Sequence, residues 1–144
     1  MAGRRSSRKP IGLVAHDHKK ADLVERAAFD RETLAEHGLV AAGTTGTLIE
    51  ERLGLTVKKL RSGPLGGDLQ LGSLIAEGKI DLLFFFWDPL EPQPHDVDVK
   101  ALLRIAVVYD CPIACNRATA DFILSSPLMG ASYRRGPHEQ PRAS

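Results

Sequence analysis

Short apolar runs alternate with longer amphipathic stretches along this chain, which is the pattern of strands alternating with helices. The strongest run covers residues 80–87 and is apolar on both faces after Asp81, as expected in the middle of a parallel sheet. Weaker runs cover residues 11–15, 39–42, 56–60 and 112–115. These alternations predict a doubly wound, Rossmann-like α/β fold: one five-stranded parallel sheet with helices on both faces.

The stretches between the runs have helical periodicity. Residues 19–37 are predicted to form one helix with Gly38 as its C-cap, and the helix after the second strand is expected to stop at Gly54. Three further helices are predicted. One lies between Asp68 and Gly78, one runs from a cap at Asp96 or Asp98 to about residue 108, and one covers residues 119–125.

The composition is that of one ordinary domain: 144 residues, a net charge of +1, and 43% hydrophobic residues. Residues 1–9 are predicted to be a disordered basic tail, 10–128 the folded domain, and 129–144 a C-terminal tail that could contact a neighbouring subunit. Without the basic tail the chain is acidic, which argues against a nucleic-acid partner. No apolar run is long enough to span a membrane. Cys111 and Cys115 are interpreted as reduced thiols, which favours a cytoplasmic protein.

Polar clusters follow each of the predicted strands. In an open parallel sheet the carboxyl ends of the strands share one edge, and ligands bind beyond that edge. The five clusters are therefore expected to form one site. They are residues 16–17, 43–45, 62–68, 88–95 and Asn116.

The loop over residues 61–68 contains three glycines and a proline, so its backbone can come close to a ligand. We predict that Ser62 and the backbone at Gly63 and Gly66 hold a substrate. Asp68 would then act as a general base. The alternative is that Asp68 only caps the helix that follows.

A phosphate site is predicted at Gly43, Thr44 and Thr45, between a strand and a helix. Helix N-terminal N–H groups and the threonine hydroxyls suit an anion there, and Lys20 could reach the same anion. The alternatives are a plain turn with an N-cap, and a solvated lysine. Neither a Walker loop nor a G-x-G-x-x-G fingerprint is present, so no nucleotide cofactor is predicted.

The histidines are interpreted from their positions. His95 precedes a predicted helix, whose dipole disfavours imidazolium, so a neutral His95 could donate to a carbonyl oxygen. The alternative is a surface loop histidine. His16 follows a buried run and is expected to be less exposed, whereas His18 and His37 are expected to be exposed. A metal site formed by His16, His95 and an aspartate is conceivable, but none is predicted.

A carboxylate base, a neutral histidine and a phosphate cradle favour proton abstraction next to a carbonyl in a small phosphorylated sugar. Asp17 and Asp88 are interpreted as supporting carboxylates or as caps and turn residues. The enediolate formed by the base can isomerise or expel its phosphate, and both outcomes stay open at this point.

Several segments together resemble the methylglyoxal synthase family over about residues 11–127. They are His16-Asp17-His18-Lys19-Lys20, Gly43-Thr44-Thr45-Gly46, Ser62-Gly63-Pro64-Leu65-Gly66-Gly67-Asp68, Trp87-Asp88-Pro89-Leu90 and Pro94-His95-Asp96-Val97-Asp98. The resemblance implies a lyase that converts dihydroxyacetone phosphate to methylglyoxal and inorganic phosphate, without metal or cofactor.

The resemblance also implies a role for each matched residue. Asp68 matches the catalytic base, and His95 matches the group that polarises the substrate oxygens and shuttles protons. The substrate and phosphate positions match His16, Lys20, Ala42, Gly43, Thr44, Thr45, Ser62 and Gly63. The supporting carboxylates match Asp17, Asp88 and Asp98.

The family is homohexameric and inhibited by phosphate, and an arginine from a neighbouring subunit reaches the phosphate. Arg134 could supply that arginine here. The chain departs from the family after residue 127 and at Ala42, where threonine is usual; the missing hydroxyl is expected to cost about 0.5–1.5 kcal/mol of binding. The alternative function is a non-catalytic regulatory module similar to the allosteric domain of carbamoyl phosphate synthetase.

Overall fold

A computed structural model describes residues 8–61, 67–90 and 96–133 of the chain. Its centre is a sheet of five parallel strands in the order β3-β2-β1-β4-β5. The strands are β1 (Pro10–Ala15), β2 (Gly38–Ala42), β3 (Lys58–Leu60), β4 (Leu82–Phe86) and β5 (Ile113–Ala114). The predicted five-stranded parallel α/β fold is confirmed.

Helices connect the successive strands. They are α1 (Lys20–Phe29), α2 (Arg31–Ala35), α3 (Gly43–Leu53), α4 (Gly67–Ala76), α5 (Asp96–Val108) and α6 (Arg117–Leu124), with short 3-10 helices at Asp17–Lys19 and Pro127–Gly130. Gly54 ends α3 with a φ of 69°, and Gly78 follows α4 with a φ of 76°, as the sequence predicted for both stops.

The two faces of the sheet carry separate apolar cores. Ile11 and Leu13 of β1 lie in a cluster with buried residues of α1, α2, α3 and α6. Val14, on the opposite face of the same strand, lies in a cluster with α4 and α5. Gly12 leaves room for this packing, because a Cβ there would lie only 3.2 Å from Leu71 Cδ2 of α4. Burial on both faces therefore fixes the position of α4 against β1.

The prediction of one helix over residues 19–37 is wrong. The chain leaves helical geometry at Asp30, which has φ −105° and ψ 27°, and α1 and α2 lie on either side of it. Gly38 is not a C-cap but the first residue of β2, where it lies opposite Pro10 of β1. The chain must turn before Gly38 so that β2 can pair with β1.

The prediction that His37 is exposed is also wrong, because the same register places it beside Lys9. His37 is buried, and its Nδ1 accepts a hydrogen bond of 2.9 Å from the backbone N–H of Lys9. Lys9 falls within the tail predicted from the sequence, but it is buried too, and its Nζ donates to the carbonyl oxygens of Met129 and Ala131. Met129 is buried in the 3-10 helix beyond α6.

His37 is expected to make the stability of the fold depend on pH. Burial, and then the positive charge of Lys9, hold the pKa of His37 below its usual range. The contribution of His37 to the free energy of unfolding is therefore fully present above the unfolded pKa of about 6.5. It is lost as the pH drops from there through the folded pKa. Uptake of one proton can lower the free energy of unfolding by at most about 1.4 kcal/mol per pH unit.

The His37→Asn variant tests this by urea denaturation between pH 5 and pH 8. Asparagine can offer an oxygen to the Lys9 N–H without titrating, so its free energy of unfolding should change less with pH than that of the wild type. Identical pH profiles for the two proteins would show that His37 is not the responsible group.

None of the helices within the described ranges is long and apolar enough to cross a membrane.

Candidate functional site

The carboxyl edge of the sheet begins with His16, which directly follows β1. Its backbone N–H donates to the carbonyl oxygen of Phe86 at 3.0 Å, so the pairing of β1 with β4 continues to the rim. The imidazole is buried and packs edge-on against Phe85, with ring centroids 5.7 Å apart. The expectation that His16 is less exposed than a surface histidine is confirmed.

Asp88 lies between two histidines at this edge. Its backbone N–H donates to Nδ1 of His16 at 3.3 Å, and its carboxylate lies 3.3 Å from Nδ1 of His18. The other carboxylate oxygen accepts a 3.0 Å bond from the N–H of Leu90. Because Nδ1 of His16 is an acceptor, a neutral His16 carries its hydrogen on Nε2. Asp88 thus acts as a turn residue through Leu90 and contacts both histidines, while its supporting role in the site stays a prediction.

Lys20 joins the end of β1 to the start of α3. Its Nζ donates to Oδ1 of Asp17 at 2.9 Å and to Oγ1 of Thr44 at 3.2 Å. The hydrogen bond and charge of Lys20 hold the pKa of Asp17 below its usual range, so this carboxylate stays ionised and fixes the ammonium group in return. An ammonium group at a helix N-terminus is a favourable arrangement for an anion.

The start of α3 has no side-chain cap. Ala42 occupies the N-cap position with φ −60° and ψ 151°, and its side chain has no oxygen that could accept from the first turn. Thr44 is exposed whereas Thr45 is buried. The first N–H groups of a helix have no acceptor within it, so the first turn of α3 can donate to an anion.

Arg61, the residue after β3, is held at this same edge. The N–H of Gly43 donates to the carbonyl oxygen of Arg61 at 3.4 Å, and the N–H of Arg61 donates to Oε1 of Gln70 at 2.8 Å. These two bonds link the start of α3 to the first turns of α4, the helix that contains Asp68. The sequence contained no signal for the role of Gln70, because its partner is known only once the loop has folded.

Several predicted site residues lie outside the part of the chain that the structure describes. They are Ser62, Gly63, Gly66, His95 and Arg134. The backbone of Asp68 belongs to the first turn of α4 and that of Asp98 to the first turn of α5. The structure therefore brings together His16, Asp17, Lys20, Gly43, Thr44 and Asp88, and the roles of all the predicted residues stay predictions.

The fifth polar cluster has a structural role. The side-chain oxygen of Asn116 accepts a 2.9 Å bond from the N–H of Thr119 and so caps α6. Asn116 also lines a groove of about 510 Å³ with Trp87 and Arg117 beside the ends of β4 and β5. Among the side chains of residues 8–61, 69–90 and 99–133, no three His, Cys, Asp or Glu are arranged to hold a metal ion.

The fold and this edge together define a class: a doubly wound α/β domain that places a lysine beside a helix N-terminus at the carboxyl edge of its sheet. A family model described as the MGS-like domain matches residues 23–115, which include most of α1, the first turn of α3, and β4.

Relatives with a more specific name match most of the chain. A methylglyoxal synthase from Cellvibrio japonicus is 57% identical over 127 residues, covering 88% of this chain and 82% of the relative. One from Pseudoalteromonas atlantica is 58% identical over 120 residues, covering 83% of this chain and 89% of the relative. The crystal structure of methylglyoxal synthase from Elizabethkingia anophelis superposes with a TM-score of 0.88 at 57% identity, covering 93% of this chain and 88% of that one. The chain belongs to the methylglyoxal synthase family.

Proposed function

We propose that this chain converts dihydroxyacetone phosphate to methylglyoxal and inorganic phosphate. The observation that carries the proposal is the position of Lys20, whose ammonium group contacts Thr44 in the first turn of α3. A phosphate bound there would meet one full positive charge, a hydroxyl group and the N–H groups of the turn beyond Gly43, whose own N–H donates to Arg61. Membership of the family supplies the reaction.

The reaction begins with proton transfer. Asp68 removes a proton from the hydroxymethyl carbon next to the carbonyl, which leaves an enediolate. His95, as a neutral imidazole, donates a hydrogen bond to the oxygen on which the charge develops. Without such a donor, an aspartate is too weak a base for an unactivated ketone.

The second step breaks the C–O bond to the phosphate. The hydroxyl group on the deprotonated carbon loses its proton and forms the aldehyde C=O bond, the C=C pair of the enediolate shifts toward the carbon that bears the phosphate, and the pair of the broken C–O bond leaves with the phosphate. The resulting enol takes up a proton on carbon and becomes methylglyoxal, so no water, metal or redox partner is consumed. Lys20, Thr44 and the first turn of α3 hold the leaving phosphate and stabilise its growing charge.

His16 and the aspartates position these groups. The N–H of Asp88 fixes the tautomer in which His16 carries its hydrogen on Nε2, a donor suited to a substrate oxygen. Asp17 holds Lys20, and Asp98 is assigned a supporting role at the start of α5. Ser62, Gly63 and Gly66 are assigned to the substrate side of the loop that Arg61 and Gln70 anchor.

The direct test mixes the purified protein with dihydroxyacetone phosphate and follows methylglyoxal and inorganic phosphate, with and without EDTA. Equal amounts of both products, unaffected by the chelator, are expected. Binding of phosphate without turnover would favour the regulatory module instead, and loss of activity in EDTA would show that a metal is needed.

We further propose that the chain forms a homohexamer in which Arg134 reaches the phosphate of a neighbouring subunit. Light scattering should then give six times the 15.7 kDa mass of the chain. Inhibition by inorganic phosphate is also expected, and Arg134→Gln should weaken it. A monomer with full activity would contradict the shared site.

The proposed compartment is the cytoplasm. Cys111 is buried and Cys115 half-buried, and neither forms a disulfide, as is usual in a reducing compartment. Recovery of the protein mainly from a secreted fraction would contradict this.

A further inference from the structure

An open groove of about 530 Å³ lies at the amino-terminal edge of the sheet, opposite the site described above. It runs between the starts of β2 and β3 and the ends of α2 and α3. Arg8, Arg31 and Lys58 line it, and none of its lining residues within the described part of the chain is acidic. The groove is therefore cationic.

The three cations are available to a ligand. Across the described ranges, none of them forms an ion pair with a carboxylate. Lys59, the neighbour of Lys58, instead pairs with Glu50 at 2.8 Å. Nε of Arg31 donates to the carbonyl oxygen of Leu53 at 2.7 Å, which orients the guanidinium group and leaves its terminal N–H groups for another acceptor.

Two glycines lie next to the guanidinium groups. A Cβ added at Gly38 would lie 4.0 Å from Nη2 of Arg8, and one added at Gly54 would lie 3.7 Å from Nη2 of Arg31. Gly54 also has a φ of 69°, which favours glycine. A side chain at either position would extend beside a guanidinium group and narrow the groove.

The rest of the lining adds a neutral donor and apolar surface. Nδ1 of His37 accepts from the N–H of Lys9, so the neutral ring carries its hydrogen on Nε2. The buried side chains of Leu34 and Leu55 form part of the wall. The volume of the groove lies within the range of about 300 to 1,000 Å³ that is usual for small-molecule sites.

We propose that this groove binds a small polyvalent anion of the diphosphate class. Guanidinium groups bind phosphate oxygens in a bidentate manner, and three positive charges match the charge of two linked phosphates. The groove and the carboxyl-edge site lie at opposite ends of β2 and of α3, so they are separate sites. The inference goes beyond the proposed function and does not depend on it.

Isothermal titration of the full chain with inorganic pyrophosphate tests the proposal. Arg8→Gln and Arg31→Gln should each weaken binding by about tenfold or more, since each removes charge-assisted hydrogen bonds. Arg8 makes no hydrogen bond or ion pair within the described ranges, so its replacement should leave the fold intact. The same losses should appear in a Lys20→Met background, in which the carboxyl-edge site is weakened.

Arg52→Gln is the matched control, because Arg52 is an exposed cation of α3 that does not line the groove. Its pyrophosphate affinity should equal that of the wild type. Absence of binding, unchanged affinity in the Arg8 and Arg31 variants, or an equal loss in Arg52→Gln would each overturn the proposal. If the protein does not convert dihydroxyacetone phosphate but its pyrophosphate binding still weakens in the Arg8 and Arg31 variants, the proposed function is contradicted and the groove proposal is supported.

Discussion

Replacing Asp68 with asparagine is expected to lower the rate of phosphate release from dihydroxyacetone phosphate by at least about a thousandfold, within the range of a lost general base. Asparagine has nearly the shape of aspartate but cannot accept the proton from carbon. The backbone of this residue belongs to the first turn of α4, which Gln70 links through Arg61 to the start of α3. The substitution should therefore leave the phosphate-binding turn in place.

The measurement is a single-turnover assay of phosphate and methylglyoxal, together with calorimetric titration of inorganic phosphate. Binding of phosphate should be retained while turnover is lost. Glu77→Gln provides the control, because it removes one negative charge from an exposed position just beyond the other end of α4. Turnover equal to that of the wild type in Asp68→Asn would exclude Asp68 as the base, and the helix-cap interpretation would then apply.

Replacing Lys20 with methionine is expected to lower kcat/KM by about a hundredfold, since one hydrogen bond to a charged group contributes about 1.5–3 kcal/mol. Methionine keeps most of the length of the side chain but removes the ammonium group that contacts Thr44 and Asp17. The loss should appear in both KM and kcat, because the phosphate is held in the bound substrate and gains charge as its C–O bond breaks.

Lys19→Met makes the same change one residue earlier, where the side chain lines the groove beside Trp87 instead of contacting Thr44. Its kcat/KM should stay close to that of the wild type. A Lys20→Met variant within threefold of the wild type would mean that Lys20 only pairs with Asp17 at the surface.

The strands and the polar edge follow from local pattern. A strand buried on both faces needs an unbroken apolar run, and Leu82–Phe86 is such a run, so β4 could be identified from the sequence. Glycines with positive φ at Gly54 and Gly78 marked two helix ends for a similar local reason. Because parallel strands point the same way, the pattern also predicted that the polar residues following them share one edge.

The sequence interpretation failed where long-range pairing decided the outcome. Nothing near His37 shows that the chain pairs Pro10 with Gly38, yet this register buries His37 against Lys9 and forces the turn before β2. The folded sheet also decides two other contacts that the sequence did not show. Lys20 contacts Thr44, 24 residues away, and Gln70 is linked to Arg61.

The order of apolar and polar residues was enough to specify the parallel α/β architecture and the edge at which the polar residues gather, because both depend on local periodicity. Resemblance of short motifs was enough to indicate the family. The partners of the buried and charged side chains were decided only by the folded sheet, since its strand order and register bring together residues that are far apart in the chain. The cationic groove of Arg8, Arg31 and Lys58 belongs to this second group, because three separate segments form it.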